Sequence, residues 1–364
     1  MAAMTEWHGK AGGRGEACGP TGCAVASYGD VAAEREAGRT GALAVDRSRC
    51  ARLQLTGKDR RDLVQRLTTN DVLNVPDGMG VATVFTTGKG RIVDRVVLHA
   101  ASDGDLLVGS ADRADPLIEW MNGYIMREDV TVTNLTPATT QIDVVGPKAV
   151  EVTGATLLTS AALHELMVVE LAGMQVLAAR ADPVGGQTVR LIVPEGLGPR
   201  LMDALVAKGA RPGGGDAYNA LRLEAGLPLY GPEMNLEHSP LEAGLVDTLH
   251  FAKGCYIGQE VVARIDTYMK QRRYLIAVEV EGPPPAAGAT LSLSNGDSGA
   301  VTSSADVGNG KSRLLGYIKT EDPRVGMLVD VIEGDVRRQG VVRNRPAQAP
   351  APKGGEGSQC SVVI

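Results

Sequence analysis

The sequence predicts an α+β fold followed by a small β domain, and three observations carry that expectation. Between about residues 50 and 270, runs with the two-residue alternation of strands are mixed with runs of helical spacing. They lack the strict strand–helix–strand order that a doubly wound parallel sheet needs. After Arg273 the texture changes to short apolar runs separated by Gly, Pro and Asn turns, the pattern of a closed or nearly closed β domain. Apolar residues make up 43% of the chain but aromatics only 3%, so the core must be built from Val, Leu, Ile and Ala.

The elements follow in order. Residues 1–27 are rich in Gly and Ala without any period and read as a disordered tail. Cys50–Thr56 alternates, with Leu53 and Leu55 on one face, and predicts a strand that Gly57 ends. Asp59–Leu67 predicts a short helix. Val81–Thr86 and Arg91–Leu98 predict a hairpin joined by Thr87-Gly88-Lys89-Gly90. Ser110–Arg127 carries Leu117, Met121 and Tyr124 at helical spacing, with Pro116 tolerable near its start. Val130–Leu135, Gln141–Val145, Val168–Ala178 and Val189–Val193 read as strands. Arg200–Lys208 reads as a helix, as does a segment capped by Asp216 and running to Gly226. A helix over Gln259–Met269 presents Val261, Val262, Ile265 and Met269. Short strands at Tyr274–Val280, Thr290–Leu293, Leu314–Ile318, Met327–Ile332 and around Val341 build the last domain. The domain reading is therefore a core over 28–270, a β-barrel over 271–345, and a Pro/Gly-rich disordered tail over 346–364.

Composition excludes several classes. A net charge of −6 leaves no basic surplus for phosphate contacts, so nucleic acid is not an expected partner. No apolar run is long enough to span a bilayer, and no membrane partner is expected. The first thirty residues hold no secretory apolar core, and Glu6 and Glu16 argue against a mitochondrial presequence, so the expected location is cytoplasmic. The 5 cysteines, Cys18, Cys23, Cys50, Cys255 and Cys360, have no repeating spacing and do not read as a disulfide framework. Cys360 lies one residue too early for a prenylation box. His8, His99, His164, His238 and His250 show no ligand spacing, so no permanent metal centre is expected.

The densest chemistry lies in Lys253-Gly254-Cys255-Tyr256-Ile257-Gly258-Gln259-Glu260, just ahead of a helix. The helix end offers partial positive charge and free N–H groups, and Lys253 adds a full charge; both favour a Cys255 thiolate. Gln259 and Glu260 fall in the first turn, and Arg264 can pair with Glu260. On the residues alone, Cys255 is either a small buried apolar residue beside turn glycines or a working thiol. Gly88-Lys89-Gly90-Arg91 reads as a turn before an anion cradle, Arg222 with Glu224 as a solvated pair, and His238 as a loop residue.

The octapeptide matches at every position the signature of the YgfZ family, folate-binding proteins of iron–sulfur cluster assembly and repair that include Iba-type factors. The chain also resembles the parent superfamily, the T-protein aminomethyltransferases of glycine cleavage, over about residues 28–345. The resemblance rests on Tyr28-Gly29-Asp30, Asp46-Arg47-Ser48, Thr69-Asn70-Asp71-Val72, Gly90-Arg91-Ile92-Val93-Asp94 and Val145-Gly146-Pro147-Lys148-Ala149. It continues in Leu221–Gly231 and in Ser239-Pro240-Leu241-Glu242-Ala243-Gly244-Leu245.

The resemblance implies a T-protein-like cloverleaf of α+β lobes around a folate channel, closed by a small C-terminal β-barrel. It implies tetrahydrofolate as cofactor, held by Asn70, Asp94, Arg222 and Tyr230. Cys255, Lys253, Gln259 and Glu260 would be the working group, carrying a transient iron–sulfur cluster or exchanging with a partner thiol. Expected partners are iron–sulfur assembly proteins, client iron–sulfur enzymes and a glutaredoxin. The alternative is a tetrahydrofolate-dependent aminomethyl transferase. Two departures stand out: Arg95 follows Asp94 where the T-proteins have a second aspartate, and Arg190 stands where they place a pterin-gripping glutamate. An arginine cannot accept the pterin's N–H donors. The expectation is therefore weakened folate binding, tightened by Arg190→Glu.

Overall fold

A computed structural model of the chain describes residues 2–16, 19–267, 271–320 and 323–344. Cys18, Met269, Cys360 and the expected tail over 346–364 lie outside the described residues. The fold is α+β, with two lobes followed by a closed barrel.

The first lobe is a 5-stranded antiparallel sheet in the order Gly80–Thr86, Ile92–His99, Asp105–Ala111, Cys50–Thr56, Thr131–Asn134. Helices Arg60–Leu67 and Ala114–Asn122 cover one face, burying Leu63, Val64, Leu117 and Met121 with Leu53, Leu55 and Phe85. The second lobe is a 6-stranded sheet in the order Leu166–Leu171, Met174–Arg180, Thr188–Pro194, Thr139–Val145, Leu43–Asp46, Arg211–Gly213. The chain enters the second lobe first, crosses to the first at Cys50 and returns at Thr139, so the lobes are interleaved rather than sequential. The barrel closes in the order Arg273–Glu281, Lys311–Lys319, Ser298–Gly308, Thr290–Ser292, Leu328–Glu333, Val336–Asn344. No helix among the described residues is long and apolar enough to cross a membrane.

Several expectations are corrected. Residues 2–16 are not a loose tail: helix Ala2–Lys10 buries Met4 in the second lobe, and Trp7 Nε1 donates to Asp203 at 2.7 Å. His8 sits between Asp46 Oδ2 at 2.8 Å and the Tyr28 hydroxyl at 2.7 Å. Cys23 is 1% exposed. Composition could not show this order because its partners are remote in the chain. Ser110–Arg127 is not one helix; Asp105–Ala111 is a strand, and the helix is confined to Ala114–Asn122. Val168–Ala178 divides into two strands at Ala172-Gly173, both at positive φ. The helix expected to begin at an Asp216 cap is Gly215–Glu224, preceded by Gly214. Strand Ser298–Gly308 went unread because Ser, Gly and Ala dominate it; pairing with Lys311–Lys319 orders it.

Candidate functional site

The lobes line a partly open cavity of about 410 Å³, a size suited to a small organic ligand. Its wall is built by strand register. Arg190 and Asp143 are direct cross-strand partners in the second sheet, so their side chains share a face. Arg190 Nε and Nη2 donate to the two carboxylate oxygens of Asp143, each at 2.9 Å. Arg47 Nη1 donates to Asp143 at 3.1 Å and to the Tyr218 hydroxyl at 2.8 Å. Burial opposes the charged form of Asp143, yet Arg190 and Arg47 together hold its carboxyl below the ordinary range. In the same lining, Arg95 donates both terminal nitrogens to Asp182, at 2.9 and 2.8 Å. Asp182 likewise stays low against burial because Arg95 faces it.

Both departures from the T-protein pattern therefore sit in this wall. Arg190 and Arg95 are neutralised by Asp143 and Asp182 and present N–H groups to the cavity. Arg190 is thus committed to Asp143, and a glutamate in its place would face that carboxylate as a buried like charge.

Asp94 is fully buried where the strands Ile92–His99 and Asp105–Ala111 part company, since their pairing ends at Val97 and Val108. Its carboxylate fills the gap, accepting from Ser110 N at 3.2 Å and Ser110 Oγ at 2.5 Å. Burial raises its pKa to about 6. Ser110 lines the cavity, so Asp94 stands behind the wall rather than in it.

Of the four residues expected to hold a cofactor, Arg222 alone lines the cavity. It is 1% exposed and pairs with Glu233 at 3.1 Å, not with Glu224, which pairs with Arg39. Asn70 points its amide to the carbonyls of Ala82 at 2.9 Å and Asp247 at 3.4 Å. Tyr230 lies under the Arg113 guanidinium, 4.3 Å from the ring centre. His238 is no simple loop residue: it is 7% exposed and its ring stacks on Tyr317 of the barrel at 3.7 Å.

The Cys255 segment forms a second, separate feature. Lys253 is buried, and its ammonium donates to the carbonyls of Gln65 at 2.8 Å, Thr68 at 2.7 Å and Asn70 at 2.5 Å. Gln65 and Thr68 offer the free carbonyls at the end of helix Arg60–Leu67, where a cation is favoured, and Asn70 follows just beyond it. Burial pushes Lys253 down to about 8. Ile257 N donates to Arg66 O at 2.9 Å, and Thr86 Oγ1 to Ile257 O at 2.5 Å. Gly258, at φ +84, sits against the Thr87–Gly90 turn, where a Cβ would meet Thr87 O at 2.4 Å. The loop is thus clasped on both sides of Cys255, which is exposed. The sequence expectation that Lys253 turns its charge toward the thiol is corrected: its donors are spent on carbonyls. Helix Gln259–Thr267 begins beyond the thiol, with Gln259 half-buried and Glu260 exposed and paired with Arg264 at 2.5 Å.

Sequence reading missed Asp143, Asp182, Tyr218 and Asp247 as cavity residues. A charged residue inside an apolar strand run, such as Asp143 in Gln141–Val145, was the available signal.

Two interleaved α+β lobes around a partly open cavity with charged residues in its wall, followed by a closed barrel, define the class of protein. Comparison then places it: the GCVT N-terminal domain family model matches residues 4–253, and the chain belongs to that family. An aminomethyltransferase of Thermoanaerobacter pseudethanolicus is 27% identical over 88% of this chain and 87% of its own length. A protein of Arabidopsis thaliana whose name calls it a chloroplastic transferase is 28% identical over 80% of this chain and 69% of its own length. The crystal structure of the glycine cleavage system aminomethyltransferase T from Bartonella henselae superposes with a TM-score of 0.81. It is 20% identical and covers 94% of this chain and 96% of its own, so it shows a shared fold.

Proposed function

We propose that this protein binds a reduced folate in the central cavity and acts as a transferase on the one-carbon unit it carries. The observation that carries this reading is the cavity, lined by fixed donors and acceptors, in a chain of the GCVT N-terminal domain family whose relatives include proteins named aminomethyltransferase. The residues present fit such a ligand: Arg222, Arg190 and Arg95 supply donors, Asp247 and Tyr218 supply acceptors, and Val97 and Val108 supply apolar wall. Tetrahydrofolate, when bound, supplies the nitrogens that carry the one-carbon unit. The chain's own contribution is a rigid wall and a proton site. Asp94, raised to about 6, can hold or release a proton at Ser110 Oγ on the cavity surface. Anaerobic titration calorimetry with tetrahydrofolate tests the binding step, and an aminomethyl-donor assay tests transfer. A wild-type protein that binds no reduced folate at high micromolar concentration would sink the reading.

A second reading, service to iron–sulfur proteins, is favoured by one feature: the clasped loop that presents Cys255 to solvent. Among the described residues no group of three or more His, Cys, Asp or Glu is arranged to hold a metal. A cluster handled here would thus be cargo, with Cys255 supplying one thiolate and an assembly protein, glutaredoxin or client enzyme supplying the others. Iron–sulfur enzyme activity in cells carrying Cys255→Ser separates the readings: full activity with intact folate binding leaves only the transferase.

A further inference from the structure

The cavity wall contains three carboxylates, those of Asp143, Asp182 and Asp247. Two are already engaged. Asp143 accepts from Arg190, Arg47 and Gln141, and Asp182 accepts both terminal nitrogens of Arg95. Asp247 differs. It lies on the short helical turn Val246–Thr248, it is exposed, and among the described residues its carboxylate has no hydrogen bond or ion pair. Its backbone is held instead. Thr69 Oγ1 donates to Thr248 O at 2.6 Å, Thr248 Oγ1 to Leu245 O at 2.6 Å, and Asn70 Nδ2 to Asp247 O at 3.4 Å. Asp247 and Arg95 both line the cavity, and the Asp247 charge favours the charged form of Arg95. The cavity thus has a donor side, at Arg190 and Arg95, and one side with unspent carboxylate acceptors.

We propose that Asp247 recognises the N–H edge of the ligand's heterocycle, the ring N–H and exocyclic amino group of a pterin. This rests on the reading that a reduced folate binds here. A pterin edge carrying two donors would meet only donors at Arg190, and its own donors would go unpaired. A carboxylate can take both at once, in the fork geometry that paired N–H groups require. Asn70 becomes a positioning residue, acting on the ligand through the Asp247 turn.

The test is anaerobic titration calorimetry of wild type, Asp247→Asn and Asp247→Ala with tetrahydrofolate and with its 2-desamino analogue. Asp247 is exposed and unpaired, so both variants should fold, which thermal melting checks. Wild type should prefer tetrahydrofolate. Asp247→Asn should weaken tetrahydrofolate about ten- to a hundredfold. The 2-desamino analogue should lose only about twofold, so the preference collapses in the variant, a pattern that general loosening of the cavity would not produce. Unchanged affinity and preference in both variants, with wild type binding folate, would overturn the role of Asp247 and leave the folate reading standing. Absence of folate binding by wild type would overturn both.

Discussion

The cavity wall and the Cys255 loop each bury a cation, and they do so in opposite ways. Arg190 goes under cover against a carboxylate, fork to fork, with Asp143 taking two parallel bonds and Arg47 joining from the other side. Lys253 goes under cover against three backbone carbonyls at a helix end, with no carboxylate among its bonding partners. The first arrangement cancels charge and fixes a planar surface toward the cavity, a task for a guanidinium. The second leaves a compact charge uncancelled and uses its three donors to tie one loop to one helix. The pKa values follow: burial opposes both ions, but Asp143 keeps Arg190 above its ordinary value, whereas Lys253 is pushed down to about 8. The cavity wall is therefore built around charge pairing, and the loop around backbone capping.

The comparison breaks most readily at Arg190. Arg190→Glu should place two carboxylates together in the wall and cost about 3–5 kcal/mol of stability. Arg190→Met should cost less, because Arg47 still faces Asp143. Chemical denaturation of both variants decides it, and equal stabilities would mean that the ion pair does not organise the wall. Lys253→Met should cost about 2–3 kcal/mol, since three carbonyls lose a charged donor. It should leave the pH profile of Cys255 alkylation nearly unshifted. A large shift in that profile would return Lys253 to the role of thiolate partner.

Asp94 sharpens the electrostatic side of the cavity. Its pKa rises from the ordinary 3.8 to about 6 through burial. The folded protein then holds the proton more tightly than the unfolded chain. The contribution to stability is complete below about pH 3.8 and is lost as pH rises through about 6. Asp94→Asn should therefore gain about 2 kcal/mol relative to wild type on going from pH 4.5 to pH 7.5. Urea melts at the two pH values measure this, and a parallel pH dependence in both proteins would refute it. The smallest effect on the fold is expected at Cys255. Cys255→Ser should shift the melting temperature by less than about 1 °C, as surface changes do. In native wild type, iodoacetamide should label Cys255 well before the buried Cys23 and Cys50. Equal labelling, read by mass spectrometry, would show that the burial difference is not maintained in solution.

Local signals were sufficient where an element's stability is itself local. Alternation placed Cys50–Thr56, and the Gly88-Lys89-Gly90 turn placed the hairpin after Gly80. They failed where a competing local pattern existed. Strand Asp105–Ala111 was not expected, and its last two residues were read as the start of a helix because Ser110 resembles one, whereas in the fold Ser110 lies in the strand and binds Asp94. Residues 2–16 gave no period, and their order comes from Asp46, Tyr28 and Asp203. The octapeptide around Cys255 was legible as a unit because its residues are contiguous, but the direction of Lys253 was not. A side chain two positions from a thiol has many places to put its charge, and only the free carbonyls of Gln65, Thr68 and Asn70 choose among them.

By itself, then, the sequence determined the α+β texture, the closed β domain after Arg273 and the loop that carries Cys255, because each depends on periodicity or on neighbouring residues. Tertiary structure alone decided the cavity. Arg47, Arg95, Asp143 and Asp247 come from four separate stretches of chain and Asp182 and Arg190 from a fifth, one hairpin, all brought to one space by sheet register and by two crossings between the lobes. Charges so far apart in sequence leave no local pattern, and whether each is a solvated surface group or a buried partner depends on which strand lies beside it.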